Sequence, residues 1–200
     1  MRLLCLGDSL TFGFGLPRSD IWPVLAARET GLELVSWAVN GCTTGGMLAL
    51  FPQAAEEARP DLVFLMGGGN DLLLGGDLAG AKANLGCLAH LVCGMGLTPV
   101  IGVPPEPCPP VRRDWAAFAD LKEVGRLGAE YADWLHGLCA AFGFPMIDFS
   151  ACLPEAARRA GVPLRDLYLP DGLHPNRAGH RHMADTAAPI LAALAAKADR

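Results

Sequence analysis

The chain of 200 residues has no apolar run near the ~20 residues that a membrane-spanning helix needs, although 52% of it is hydrophobic. It has no basic run either, and a net charge of −5 leaves no positive field for a nucleic-acid backbone. No CxxC pair occurs among the seven cysteines, Cys5, Cys42, Cys87, Cys93, Cys108, Cys139 and Cys152. Their odd number and wide spacing read as reduced thiols, mostly small core residues. Cys87, His90 and Cys93 recur at steps of three, the spacing of a helical stripe, and lack a fourth ligand nearby, so no metal is expected there. Met1-Arg2 is followed by only four apolar residues before Gly7, too few for a signal peptide, which leads to the expectation of a cytoplasmic protein. Repeats, low-complexity tracts and composition shifts are also missing, and one domain over 1–200 is expected.

What the chain does have is alternation. Strand-like runs at about 2–7, 33–38, 61–66, 98–103 and 144–149 are separated by helix-like stretches near 19–31, 46–59, 77–95 and 114–142, with a last one near 176–197. The runs are short and continuously apolar, as in strands buried on both faces. The pattern predicts an α/β fold: a three-layer α/β/α sandwich around a flavodoxin-like five-stranded parallel sheet. Pro52 is expected to kink or restart its helix.

Serine is scarce, with only Ser9, Ser19, Ser36 and Ser150. Ser9 stands in Gly7-Asp8-Ser9-Leu10, just past the first strand, where functional groups of such sheets collect. The second strand is followed by Asn40-Gly41-Cys42-Thr43-Thr44-Gly45-Gly46, and the third by Gly67-Gly68-Gly69-Asn70-Asp71. Near the end, Asp171-Gly172-Leu173-His174 supplies an acid and a histidine three residues apart. A serine, an acid and a histidine point to nucleophilic acyl transfer, and such chemistry needs donors aimed at the developing oxyanion. The Ser9 N–H, a backbone N–H beside Gly41 and the Asn70 amide are candidates for three. Alone, each of these residues has an ordinary reading as a turn, a cap or a surface histidine. His180 and His182 are expected to be solvated on the last helix, and His90 and His136 to be helix-surface or core residues.

Over nearly its whole length the chain resembles the SGNH hydrolases, the GDSL esterase/lipase superfamily. Gly7-Asp8-Ser9-Leu10 with Thr11 and Gly13 resembles the first block of that family, Gly41 the second, Gly69-Asn70-Asp71 the third, and Asp171-xx-His174 the last. The resemblance implies Ser9 as nucleophile, His174 as general base, Asp171 as the group that orients it, and Ser9, Gly41 and Asn70 as the oxyanion hole. It implies a serine esterase for short- to medium-chain acyl esters, with no cofactor and a small-molecule substrate as partner. An acyl-CoA thioesterase, a lysophospholipase and a carbohydrate O-deacetylase would use the same constellation. From a different class, a flavodoxin-like module could cradle a phosphate or flavin, although Phe12 and Phe14 make the Ser9 loop apolar for that task. A GxSxG elbow is absent, against an ordinary α/β-hydrolase.

Phe12, Phe14 and Leu72 are candidate walls of the substrate cleft, while Leu72-Leu73-Leu74 could equally be buried against the sheet. Apart from the proline-rich 104–110 segment and the 75–80 turn, little chain remains for a lid. A shallow cleft for acetyl to about octanoyl groups is therefore expected.

Overall fold

Strand β1 (Arg2–Gly7) explains how one apolar run serves two layers. Successive side chains of a strand point to opposite faces. Leu3 and Cys5 join one buried cluster with Trp22, Phe64, Phe149 and Met183. Leu4 and Leu6 join the other with Met47, Phe51, Leu85 and Leu135. The computed structural model describes residues 1–198 and contains five strands, the others being β2 (Glu33–Ser36), β3 (Leu62–Met66), β4 (Pro99–Val103) and β5 (Met146–Asp148). All pairings are parallel, in the order β2-β1-β3-β4-β5, the flavodoxin-like order. In β4, Gly102 has no room for a side chain, because a Cβ there would come within 2.5 Å of the Phe64 ring.

Helices cover both faces. α2 (Trp22–Thr30), α8 (Cys152–Ala160) and α9 (Arg177–Ala198) pack on the Trp22 side. α3 (Thr44–Ala58), α5 (Leu78–Gly94) and α7 (Leu121–Phe142) pack on the other. Short helices α1 (Ser9–Phe12) and α4 (Gly69–Gly75) follow β1 and β3, and α6 (Arg113–Phe118) precedes α7. The strand order reverses between β1 and β3, so their carboxyl ends flank the crevice where ligands bind in such sheets. No described helix is long and apolar enough to cross a membrane.

Four local expectations are corrected. The stretch 114–142 is two helices, parted at Ala119, with the Asp120 side chain accepting from the N–H groups of Lys122 and Glu123. Pro52 does not restart its helix. It sits on the exposed side of one continuous helix. α8, interrupted in sequence by Pro154, and α4, hidden in a glycine-rich run, are helices that periodicity does not reveal.

The fourth correction is His180, which is buried rather than solvated. Its Nδ1 accepts the Trp22 N–H at 3.1 Å, satisfying a donor at the start of α2 that has no partner within its own helix. His182, by contrast, is half-exposed, and His90 and His136 lie on exposed helix faces. Burial, with a smaller contribution from nearby His174, lowers the His180 pKa from 6.5 to about 4. The folded chain therefore refuses a proton that the unfolded chain accepts between those values. Stability is full above about pH 6.5 and is lost as the pH falls towards 4, by roughly 3 kcal/mol in all. Urea unfolding at pH 7, 5.5 and 4 should show this slope, and His180→Asn, which keeps an acceptor near the Nδ1 position but cannot titrate, should flatten it by about one proton.

Candidate active site

The β1 backbone ends at Asp8, whose Oδ1 accepts the Leu10 N–H at 2.9 Å and so starts α1. Ser9 becomes the first residue of that one-turn helix, where its own N–H has no intrahelical acceptor. Gly13 closes the turn at φ +80°, a conformation few other residues adopt, and a Cβ there would lie 2.0 Å from Ile21. The indole N–H of Trp22 holds the Leu10 carbonyl at 3.1 Å, anchoring the turn to the core.

His174 approaches Ser9 from the far end of the chain. Its Nε2 is 2.8 Å from Ser9 Oγ, and its Nδ1 is 2.7 Å from Asp171 Oδ2. Asp171 Oδ1 also accepts the backbone N–H groups of Leu173 and His174, at 2.9 and 3.1 Å. Burial alone would raise the Asp171 pKa. The His174 ring and those two N–H groups outweigh burial and hold the carboxyl below its ordinary range. An anion at Asp171 fixes the histidine tautomer with Nδ1 protonated and Nε2 free to accept from Ser9.

Asp8 has the opposite environment. Burial dominates there, and with a further upward push from Asp71 it outweighs the backbone N–H groups of Leu10 and of Asp8 itself, so the carboxyl rises to about 7. It is buried against the cleft wall beside Ser9.

The candidate oxyanion donors come from two other loops. Gly41 takes φ +75° after β2, and Asn70 lies in the first turn of α4. Gly68 precedes that turn at φ +110°, where a Cβ would strike the Tyr131 ring at 2.4 Å. Asn70 Nδ2 donates to the Cys42 carbonyl at 3.0 Å, which leaves its second amide proton unused by that bond. Ser9, Gly41, Asn70 and His174 line one cleft of about 890 Å3. Asp171 stands behind His174, outside that lining.

The cleft walls differ from those expected. Phe14 lies against the His174 ring at a tilt of 33°, with centroids 4.5 Å apart, and Leu72 and Leu73 line the cleft. Phe12 does not line it; its ring is turned away from the cleft and lies under the Arg18 guanidinium, 4.4 Å away. The space is also walled on a second side. Pro104, Pro105 and Pro107, Trp115 and the α7 residues Val124 and Gly128 build a second wall opposite the loops.

Two other groupings are structurally ordinary. Ser150 Oγ donates to Asp148 Oδ1 at 2.6 Å while His136 Nε2 meets Asp148 Oδ2 at 2.9 Å, so the carboxylate separates that serine from that imidazole. Cys87, His90 and Cys93 are exposed on α5, with His90 edge-on to Phe142. Among the described residues, no group of three His, Cys, Asp or Glu could hold a metal ion.

Arg165 carries no sequence signal of its own, yet it ties the site together. It donates to the carbonyls of Cys108 and Pro110 from Nη1, at 2.9 and 2.7 Å, and to Pro170 from Nη2 at 2.6 Å. Tyr168 adds a bond from its hydroxyl to the Glu106 carbonyl at 2.6 Å. The proline-rich wall and the Asp171 turn are thereby one unit. Gly172, at φ +74°, admits this clip because a Cβ would fall within 2.8 Å of Arg165, Cys108 and Pro110.

Comparison with known proteins gives a consistent picture. Residues 5–182 match the model of the GDSL-like Lipase/Acylhydrolase family. An arylesterase of Vibrio mimicus is 37% identical over 113 residues, 52% of this chain and 56% of that protein. The protein named thioesterase 1/protease 1/lysophospholipase L1 of Escherichia coli K12 is 25% identical over 96% of this chain and 84% of its own length. The chain thus matches little more than half the length of the first of these relatives. A lipolytic protein of the G-D-S-L family from Desulfitobacterium hafniense DCB-2 shares the fold at a TM-score of 0.79 and 18% identity, covering 94% of this chain and 98% of that one.

The Arg165 clip can be tested by stability. Arg165→Ala leaves three carbonyls without their charged donor and should lower unfolding free energy by roughly 2 kcal/mol. Arg165→Lys, a single ammonium in place of the fork, should recover only part of it. Urea denaturation at pH 7 measures both.

Proposed function

Because the chain belongs to the GDSL-like lipase/acylhydrolase family, we propose that it is a carboxylic-ester hydrolase for short- to medium-chain acyl esters, built as one domain. The observation that carries this reading is the unbroken hydrogen-bonded series Asp171–His174–Ser9 opening onto an apolar cleft. In the proposed reaction His174 Nε2 takes the Ser9 proton as Oγ attacks the ester carbonyl, and Asp171 stabilises the imidazolium. The tetrahedral oxyanion receives hydrogen bonds from the Ser9 N–H, a backbone N–H at Gly41 and the Asn70 amide. The C–O bond to the alcohol then breaks, and His174 returns the proton to the departing oxygen. Water repeats the attack on the acyl-enzyme, again with His174 as base, releasing the acid and free Ser9. The residues need neither metal nor organic cofactor for this sequence of steps.

The acyl arm is assigned to the space between Phe14, Leu72 and the proline-rich wall. Each buried methylene there contributes ~0.8 kcal/mol while wall remains to cover it. Seven free thiols, four of them buried, agree with a reducing, cytoplasmic setting. The kinship to an enzyme named for thioester cleavage favours a second reading, in which a thioester is the natural substrate of the same site.

Two experiments test these readings. A fluorophosphonate should label the protein once, at Ser9, and Ser9→Ala should lose labelling and hydrolysis while keeping its circular-dichroism spectrum. A label on Ser19, Ser36 or Ser150 would overturn the assignment. A p-nitrophenyl ester series of two to sixteen carbons, run below micelle formation beside matching acyl-CoA thioesters, reads the substrate. kcat/KM should rise over the first carbons by up to about four-fold each and peak near eight. A maximum at palmitate would discard the medium-chain assignment, and higher kcat/KM on thioesters of equal length would favour the second reading.

A further inference from the structure

The two candidate oxyanion loops are joined by a buried contact that neither loop explains by itself. Asp71 and Thr44 are 8% and 0% exposed. The Thr44 N–H donates to Asp71 Oδ2 at 2.9 Å, and the Thr44 hydroxyl donates to Oδ1 at 2.6 Å. Asn84 Nδ2 in turn donates to Thr44 Oγ1 at 3.3 Å. Thr44 lies three residues after Gly41, and Asp71 directly after Asn70. We propose that Asp71 and Thr44 are positioning residues that set the separation of the Gly41 and Asn70 donors, a role that rests on the hydrolase reading above.

Three features support a positioning role beyond plain capping. The start of α3 already has its cap, since Thr43 Oγ1 accepts the Gly46 N–H at 3.1 Å. The turn that carries Gly41 is closed by the Cys42 N–H on the Val39 carbonyl at 3.1 Å, and a Cβ at Gly41 itself would meet nothing within 4 Å. The path of that turn towards Asn70 is therefore set at its far end as well, by the contact of Thr44 with Asp71. Finally, a second bond runs in parallel from Asn70 to the Cys42 carbonyl at 3.0 Å, so the two loops are pinned at two points. Charge-assisted bonds to a buried carboxylate are short and directional, which suits a device that must hold donors within a few tenths of an ångström. Asp71 does not line the cleft, so it acts through its neighbours.

The test uses Asp71→Ala, Thr44→Val and Thr44→Ser in the full chain, with p-nitrophenyl acetate as substrate and a small alkyl boronic acid as tetrahedral adduct. Asp71→Ala should lower kcat by about 10–100-fold and raise the boronic acid Ki by a matching factor, with KM within about two-fold. Thr44→Val, nearly the same shape without the hydroxyl, should lose a smaller factor in the same two quantities. Thr44→Ser, which keeps both donors, should return to within about two-fold of wild type. Should Asp71→Ala fail to fold, Thr44→Val carries the comparison. A variant that melts earlier but keeps kcat and Ki at wild-type values, measured well below its Tm, would overturn the proposal. A wild type without ester turnover or Ser9 labelling would instead remove the hydrolase reading, and the clamp with it.

Discussion

The hydrogen bond between Ser9 and His174 joins residues 165 positions apart, and much of the molecule serves to make that one distance 2.8 Å. On the serine side, a central strand delivers the residue, Asp8 starts the turn that carries it, and Trp22 anchors that turn to the core. On the histidine side, the Leu169 N–H holds the His174 carbonyl at 2.8 Å, and Tyr168 bridges to Pro175. The histidine is thus fixed through its backbone as well as through its ring. An imidazole held in this way loses little further freedom when it accepts a proton, which is what pre-organisation contributes to proton transfer.

Two buried carboxyl groups near this bond titrate in opposite directions, and the count of donors decides which way. Asp171 receives the His174 ring and two backbone N–H groups, enough to overcome the cost of burial. Asp8 receives only two backbone N–H groups, those of Leu10 and of Asp8 itself, and faces the charge of Asp71, so burial prevails. The anion is therefore kept where it can stabilise a cation on His174. The carboxyl beside Ser9, where a negative oxyanion would form, is the one that gives up its charge more readily.

The walls follow the same economy of fixed backbone. The proline-rich segment leaves few N–H groups to satisfy, and the carbonyls of Glu106, Cys108 and Pro110 are taken by Tyr168 and Arg165 rather than by a strand or helix. An irregular segment can then line a cleft without being loose. The clip couples the wall to the Asp171 turn together with two backbone bonds, from the Cys108 N–H to the Gly172 carbonyl and from the Arg112 N–H to the Asp171 carbonyl, so the shape of the cleft and the placement of that turn are set jointly.

The sequence by itself determined the five strands, the layer class and the four short blocks that carry Ser9, Gly41, Asn70, Asp171 and His174. These are local signals: a buried strand must be apolar, and a loop after it must contain glycine or a capping residue. Helix ends were less legible, as the break at Ala119 and the continuous α3 through Pro52 show, because packing overrides propensity at single positions. Only the tertiary structure decided that His180 is buried, that Phe14 lines the cleft and Phe12 does not, and that Arg165 clips two loops. It alone decided that Thr44 and Asp71 meet across 27 positions. Each of these depends on which faces of distant elements come together. A one-residue rotation of a helix or a change in loop path would alter them without altering any local pattern in the chain.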